Sequence, residues 1–135
     1  MRNLILIVMV FLCTSAYSQS HPTALDTLEN RYQQCLGNSQ NIYDCAVTYY
    51  RQLDSLLNRT LQHLYASLNT HRQQQLQAEQ SAWEEKKYEY FRKIDERVEK
   101  LHKQTLAGLD DNTISTDNKA AFVRSRLEDI LAASH

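Results

Sequence analysis

The stretch from Asp54 to Trp83 decides the fold, because it holds two apolar rows separated by a short polar break. It begins Asp54-Ser55-Leu56-Leu57-Asn58, and the apolar row then continues through Leu61, Leu64 and Leu68. After Asn69-Thr70 the row resumes at Leu76 and Trp83, with Gln80 interrupting it. Apolar residues that recur every three or four positions mark one face of an α-helix. The stretch therefore predicts two helices joined by a tight turn, with an apolar seam between them.

The composition of the whole chain also favours helix. Its 135 residues are 42% hydrophobic and 23% charged, and they include only two glycines and one proline. These proportions are typical of a globular chain rather than a disordered one. An all-β domain needs turn residues about every 8–12 positions, and this chain lacks them. We predict an all-α protein, an antiparallel helical hairpin or bundle of about four helices.

Residues 1–18 have the pattern of an export signal. Arg2 supplies a positive charge, an apolar run follows over residues 4–12, and Ala16-Tyr17-Ser18 fits the small-x-small cleavage rule. The apolar run is far shorter than the roughly 20 residues that span a bilayer. We predict a cleaved signal peptide over 1–18, no stable membrane insertion, and a single helical domain over 19–135 that is periplasmic or secreted.

Export changes the chemistry expected of the cysteines. Cys13 lies within the predicted signal, so the mature chain keeps Cys35 and Cys45. Two thiols in an oxidising compartment favour one intramolecular disulfide. A metal site is the weaker interpretation, because two cysteines without a nearby histidine fall short of four ligands. We predict a Cys35–Cys45 disulfide between the end of the first helix and the start of the second.

Caps and apolar periodicity place the first two helices. The first is predicted over 24–36, where Gly37 would supply a left-handed residue that ends it. The second is predicted over 42–69, with Asn41 as its N-cap.

The third helix is predicted over 71–107, with Thr70 and Gln73 forming a capping box and Gly108 ending it. Its exposed side carries i,i+4 charge pairs such as Glu89 with Lys93. At roughly 55 Å it is longer than the second helix. Its far end, over 94–106, must therefore pack against another helix or a second chain.

An acidic loop is expected over 109–114. After it, a fourth helix is predicted over 117–133, with its N-cap in Ser115-Thr116-Asp117.

The sequence lacks enzyme motifs. It has no Gly-rich phosphate loop, no Gly-x-Ser-x-Gly elbow and no His-Glu-x-x-His, and its five histidines are scattered. We predict no catalytic residue, no metal site and no cofactor. Without Arg2, the 15 lysines and arginines become 14 against 16 acidic residues, with no basic run or stripe to hold phosphates. Nucleic acid is therefore not an expected partner.

Polar and aromatic residues on the seam have a structural interpretation. We expect Asp54, Asn58 and Gln80 to bond one another, or the indole N–H of Trp83, and so to fix the register of the hairpin. The chain also has eight tyrosines, more than one seam can bury. Surplus tyrosines on a helix face favour a protein interface.

The same residues resemble the LprI-type lysozyme inhibitor family. The resemblance covers about 35–91 and rests on Cys45-Ala46, Asp54-x-x-Leu57-Asn58, Leu64, Leu76 and Gln80-x-x-Trp83. The family pattern continues from its tryptophan into Arg-Asp and a further cysteine, whereas this chain has Lys87, Tyr88 and Phe91. Residues 100–135 are expected to have no counterpart. The resemblance implies a small exported helical protein.

What the resemblance implies about function is a non-catalytic protein that occludes the cleft of a protein partner, a lysozyme. The expected contact to a basic enzyme is the acidic loop at Asp110 and Asp111, or the tyrosine and glutamate face of the third helix at Tyr88. The alternative hypothesis is a helical envelope adaptor or chaperone-like module with an apolar groove, motivated by the uncovered end of the third helix. A third hypothesis, an enzyme, would need a pocket lined by converging titratable groups, and we expect none.

Overall fold

The computed structural model describes residues 23–104 and 111–133, which form four α-helices. These helices are α1 (Ala24–Asn38), α2 (Ile42–Ser67), α3 (Thr70–Gln104) and α4 (Asp111–Ala133). The described residues contain no strand. The predicted all-α class with about four helices is therefore confirmed. The predicted signal peptide, the end of the third helix at Gly108 and the site residue Asp110 lie outside the described residues.

The helix starts follow capping chemistry, with one predicted cap shifted by a residue. Asn41 caps α2 as predicted, because its Oδ1 accepts the N–H of Asp44 at 3.2 Å. The predicted Thr70–Gln73 capping box is wrong. Asn69 Oδ1 accepts the N–H of Arg72 at 3.0 Å, while Gln73 Nε2 donates to the carbonyl of Tyr65 at 3.0 Å. Helix α3 therefore begins at Thr70 itself.

The predicted role of Gly37 is also wrong. Gly37 lies inside α1, and no described residue has a positive φ. The chain leaves the helix through Ser39, whose backbone is extended at φ −94° and ψ 143° and whose N–H donates to the carbonyl of Cys35 at 2.8 Å. Ser39 Oγ then accepts the N–H of Asn41 at 2.9 Å. An extended serine thus makes the turn that a left-handed glycine was expected to make.

Helix α4 begins six residues earlier than predicted. Asp111 is in its first turn, and Thr113 and Ser115 are buried at 9% and 8% exposure. Ser115, Thr116 and Asp117 are therefore helical residues and not an N-cap. Within the helix, Thr116 Oγ1 donates to the carbonyl of Asn112 at 2.7 Å. Burial against the neighbouring helix outweighs the preference of these short polar residues for loops and caps.

Helices α2 and α4 make the centre of the core. Leu53 and Leu57 of α2, and Val123 and Leu127 of α4, are each at most 1% exposed and belong to one apolar cluster. Helix α1 packs against α2, and α3 packs against α4. The predicted seam, in which α2 packs directly on α3, is therefore corrected. Helix α4 contacts both arms of the hairpin and takes up much of the apolar surface that the arms were expected to bury against each other.

The first turns of α4 cover the far end of α3. Ile94 and Val98 are 6% and 9% exposed. Beside them, Asp95 accepts hydrogen bonds from Ser115 Oγ at 2.6 Å and from Lys119 Nζ at 2.7 Å. The predicted need for cover at this end is thus met by the early residues of α4, at least as far as Val98.

A tyrosine pair fastens α1 to α2 and α4. The rings of Tyr32 and Tyr49 stack with centroids 4.4 Å apart. Tyr32 donates to Asp117 at 2.5 Å, and Tyr49 donates to Glu29 at 2.6 Å. Arg124 of α4 also donates to Glu29, at 2.9 Å. Burial, and then these carboxylates, raise the pKa of both phenols well above the usual range, so both remain hydrogen-bond donors.

The predicted disulfide joins Cys35 of α1 to Cys45 of α2, with Cα atoms 5.8 Å apart. We expect the Cys35→Ala/Cys45→Ala double variant to lose about 3 kcal/mol of unfolding free energy, since the bond closes a short loop in the unfolded chain. Alanine avoids placing a hydroxyl at Cys45, which is only 2% exposed. Urea denaturation measures the loss, and wild type in dithiothreitol should show a similar one. A loss below about 1 kcal/mol would contradict this account.

Candidate functional site

The candidate site lies where α2 and α3 face each other and is called here the motif face. It is defined by Asp54 and Asn58 of α2 and by Gln80 and Trp83 of α3. The fifth motif residue, Leu57, is 1% exposed and belongs to the core instead. Asn58 is exposed, and the other three are partly buried. The motif therefore divides into one core leucine and four residues near the surface.

The polar residues of the motif face do not bond across the hairpin as predicted. Asn58 Nδ2 donates to Asp54 Oδ2 at 3.4 Å, one turn away on the same helix. Gln80 Oε1 instead accepts from Arg126 of α4, at 3.4 Å from Nε and 3.3 Å from the terminal nitrogen. Gln80 Nε2 donates to Glu84 at 3.2 Å. The partner of Gln80 is thus an arginine 46 positions away, which fixes α4 rather than α2 against α3.

Trp83 joins an aromatic cluster centred on Phe122 of α4. The ring of Phe122 lies 5.6 Å from that of Trp83 and 4.6 Å from that of Tyr90, in stacked orientations. Phe91 meets Phe122 edge-on at 6.2 Å and Tyr50 of α2 at 6.1 Å. Phe91 occupies the place where the resemblance implies a cysteine. Aromatic packing therefore holds this part of α3 against both α2 and α4.

Lys87 brings a nearly buried cation to the motif face. Its side chain is 13% exposed, pairs with Glu84, and places its ammonium 5.1 Å from the centroid of Trp83. The phenol of Tyr50 lies in the same environment. Its pKa is raised by burial and then by the charge of Asp54, while the charge of Lys87 opposes the rise. The face thus combines aromatic surface with paired charges, an arrangement suited to recognition.

The three predicted contact residues differ in exposure and pairing. Tyr88 is 70% exposed, the largest value among the exposed large hydrophobic residues of the described chain. Asp111 pairs with His102 Nδ1 at 2.5 Å, and its side chain is 25% exposed. Asp110 lies outside the described residues. Tyr88 is thus the more exposed of the two that the structure describes, and the ammonium of Lys87 lies 5.5 Å from the centroid of its ring.

A cleft at the α3–α4 corner does gather titratable groups, contrary to the expectation that no pocket would. It has a volume of about 340 Å³ and is lined by Asp95, Glu99, His102, Asp111 and Ser115. Its charged groups are engaged in separate pairs. Glu99 binds Lys103 at 2.7 Å, in addition to the bonds of Asp95 and Asp111 given above. Within residues 23–104 and 111–133, no group of three or more His, Cys, Asp or Glu is arranged to hold a metal ion.

An apolar cleft lies nearer the α2–α3 turn. It has a volume of about 330 Å³, and it is lined by Leu61, Gln62, Tyr65, Leu76, Gln77 and Gln80. Leu61 and Leu76 remain only partly buried here, and Gln77 Nε2 donates to the hydroxyl of Tyr65 across the hairpin at 3.4 Å. None of the helices in the described parts of the chain is long and apolar enough to cross a membrane.

The fold and the motif face together define a class: a small helical protein with a disulfide between its first two helices and a surface where aromatic and charged side chains meet. The family model described as "Lysozyme inhibitor LprI" matches residues 33–128, and the chain belongs to this family. The match runs beyond the expected 35–91 into α4, so the expectation that residues 100–135 have no counterpart is wrong as far as residue 128. No curated protein and no solved structure matches the chain.

Proposed function

We propose that this protein is an exported, non-catalytic inhibitor that binds a lysozyme and occludes its cleft. The observation that carries the proposal is membership of the LprI family over residues 33–128. The sequence pattern of residues 1–18 supports export. Inhibition by occlusion needs a presented surface and no reacting group of the inhibitor's own. The pairing of the charged groups in the α3–α4 cleft is consistent with that requirement.

The contact surface that we propose is the exposed side of α3 around Tyr88. A tyrosine provides a large, rigid contact area with a polar tip, and tyrosine is enriched at the energetic centres of interfaces. Glu85 and Glu89, which lie three residues before and one after it, are both exposed. The hydrogen bond from Lys93 lowers the pKa of Glu89, so this carboxylate stays ionised. Glu89 is paired with Lys93, whereas Glu85 has no ion-pair partner among the described residues, and its negative charge beside the tyrosine suits a basic enzyme.

The test is a turnover assay on suspended bacterial cell walls with a panel of lysozymes. We expect the mature protein to slow at least one lysozyme at near-equimolar concentration. The Tyr88→Ala variant should weaken inhibition about thirtyfold, the effect of removing one hot-spot side chain of about 2 kcal/mol. The matched control is Tyr43→Ala, which removes a tyrosine that is 37% exposed in the first turn of α2. It should inhibit like wild type.

Two outcomes would count against the proposal in different ways. If a large molar excess of the wild-type protein leaves every lysozyme at its full rate, the proposed function is wrong. If wild type inhibits and Tyr88→Ala inhibits equally well, the function stands and the contact surface lies elsewhere. Circular dichroism of each variant separates both outcomes from a loss of folding, since Tyr88 is too exposed to hold the core.

A second candidate function is a helical envelope adaptor or chaperone-like module. Its original basis, an uncovered end of α3, is weakened by the burial of Ile94 and Val98. The apolar cleft beside Leu61 and Leu76 now favours it instead. Fluorescence of an apolar dye gives a direct check. Dye binding that disappears in Leu76→Glu would support this candidate, and no binding by wild type would remove its basis.

A further inference from the structure

Three arginines converge on one cleft between α1 and α2. Arg31 comes from α1, and Arg51 and Arg59 come from α2. The cleft has a volume of about 380 Å³, and its polar lining also includes Thr48, Gln52 and Ser55. Arg51, Ser55 and Arg59 follow one another at four-residue spacing, which places them along one face of the helix. No acidic residue lines the cleft.

The three guanidinium groups of the cleft are unpaired within the described parts of the chain. Among the described residues, none of the three forms an ion pair or a side-chain hydrogen bond. Arg72 and Arg97 are likewise unpaired among the described side chains, whereas Arg92 pairs with Glu96 and Arg124 pairs with both Glu29 and Glu128. The chain has 16 acidic residues against 15 lysines and arginines, so a shortage of carboxylates does not explain the difference. The cleft is a local positive region in a chain that is nearly neutral overall.

The chemistry of this cleft fits a particular class of ligand. A cleft lined by charge of one sign concentrates counter-ions of the other sign. The planar guanidinium fork matches the oxygens of a phosphate group and can donate two hydrogen bonds to it. Hydroxyl and amide groups from Thr48, Gln52 and Ser55 can supply further donors. We infer that the α1–α2 cleft binds a multiply charged phosphate-bearing ligand, either a soluble phosphate compound or a lipid headgroup.

The inferred site is separate from the proposed lysozyme contact. The arginines that line the cleft belong to α1 and α2, whereas Tyr88, the centre of the proposed contact, is a residue of α3 and does not line it. A ligand in the arginine cleft would therefore leave Tyr88 free. The inference does not depend on the proposed function.

Isothermal titration calorimetry with inorganic pyrophosphate in low-salt buffer tests the site on the mature protein. We expect wild type to bind, and raised salt to weaken the binding because the groups are exposed. The Arg51→Gln/Arg59→Gln variant should weaken it at least about tenfold, since it removes the charge-assisted hydrogen bonds of two guanidinium groups. Arg97→Gln is the matched control. It removes one exposed arginine of α3 that lies outside the cleft, and should leave the affinity within about twofold.

A second arm distinguishes the source of the phosphate. Co-sedimentation is measured with vesicles of phosphatidylglycerol and, for comparison, of phosphatidylcholine. Binding of pyrophosphate alone supports a soluble ligand, and binding of the anionic vesicles that is lost in the double variant supports a headgroup. Failure of wild type to bind either probe would overturn the inference, as would equal binding by wild type and the double variant. All substituted residues are exposed, so melting curves should show the variants folded.

Discussion

Leu127→Asp is expected to abolish the cooperative unfolding transition of this protein. Leu127 is 0% exposed and lies in the cluster that α4 shares with α1 and α2. The substitution removes about 1.5–3 kcal/mol of apolar burial. It also places a carboxylate in a site with no partner, which costs several kcal/mol more. Together these losses approach the roughly 5–15 kcal/mol that holds a typical domain folded.

The matched control for this variant is Ser125→Asp. It introduces the same side chain two residues earlier on α4, at an exposed position. Its unfolding free energy should stay within about 0.5 kcal/mol of wild type. Thermal melts followed by circular dichroism at 222 nm compare the two variants directly. A normal transition for Leu127→Asp would mean that α4 does not belong to the core and that the α2–α3 hairpin holds itself together.

The place of α4 is also what the sequence could not predict. Apolar periodicity identified all four helices and the ends of α2 to within two residues, because a helix face repeats locally. The same periodicity predicts which residues are buried, but it does not predict which helix packs against them. The apolar rows of α2 and α3 could pack on each other or on a third helix. The choice depends on contacts between residues far apart in the chain, such as Gln80 with Arg126.

Local interactions were the predictable part of the surface. The i,i+4 pair of Glu89 with Lys93 forms at 2.7 Å, as its spacing predicted. The arginine cleft was missed, because Arg31, Arg51 and Arg59 are spread over 29 positions and make no basic run in the sequence. Spacing on α2 could have linked Arg51 with Arg59. No local sequence pattern could have linked Arg31 to these two residues, because its distance from them depends on how α1 packs against α2.

The second large effect on stability is expected within the family motif. Leu57 and Asn58 are neighbours in sequence but have different surroundings. We expect Leu57→Ala to lower the unfolding free energy by about 2–5 kcal/mol, because Leu57 is 1% exposed and its loss leaves a cavity between α2 and α4. Asn58→Ala should change stability by less than about 0.5 kcal/mol. Its side chain is exposed and makes one long hydrogen bond to Asp54. Urea denaturation of both variants measures the contrast.

The contrast separates two explanations for a motif that includes both residues. If the motif only builds the hairpin, both substitutions should destabilise, and a loss of several kcal/mol in Asn58→Ala would support that explanation. If Asn58 and Asp54 instead serve recognition, Asn58→Ala should keep its stability and weaken binding of a partner to the motif face. Recognition is favoured because the ammonium of Lys87 lies over Trp83, and the charges of Lys87 and Asp54 both act on Tyr50, so the exposed amide is near an aromatic and charged surface. Leu57 would then hold the helix that presents them.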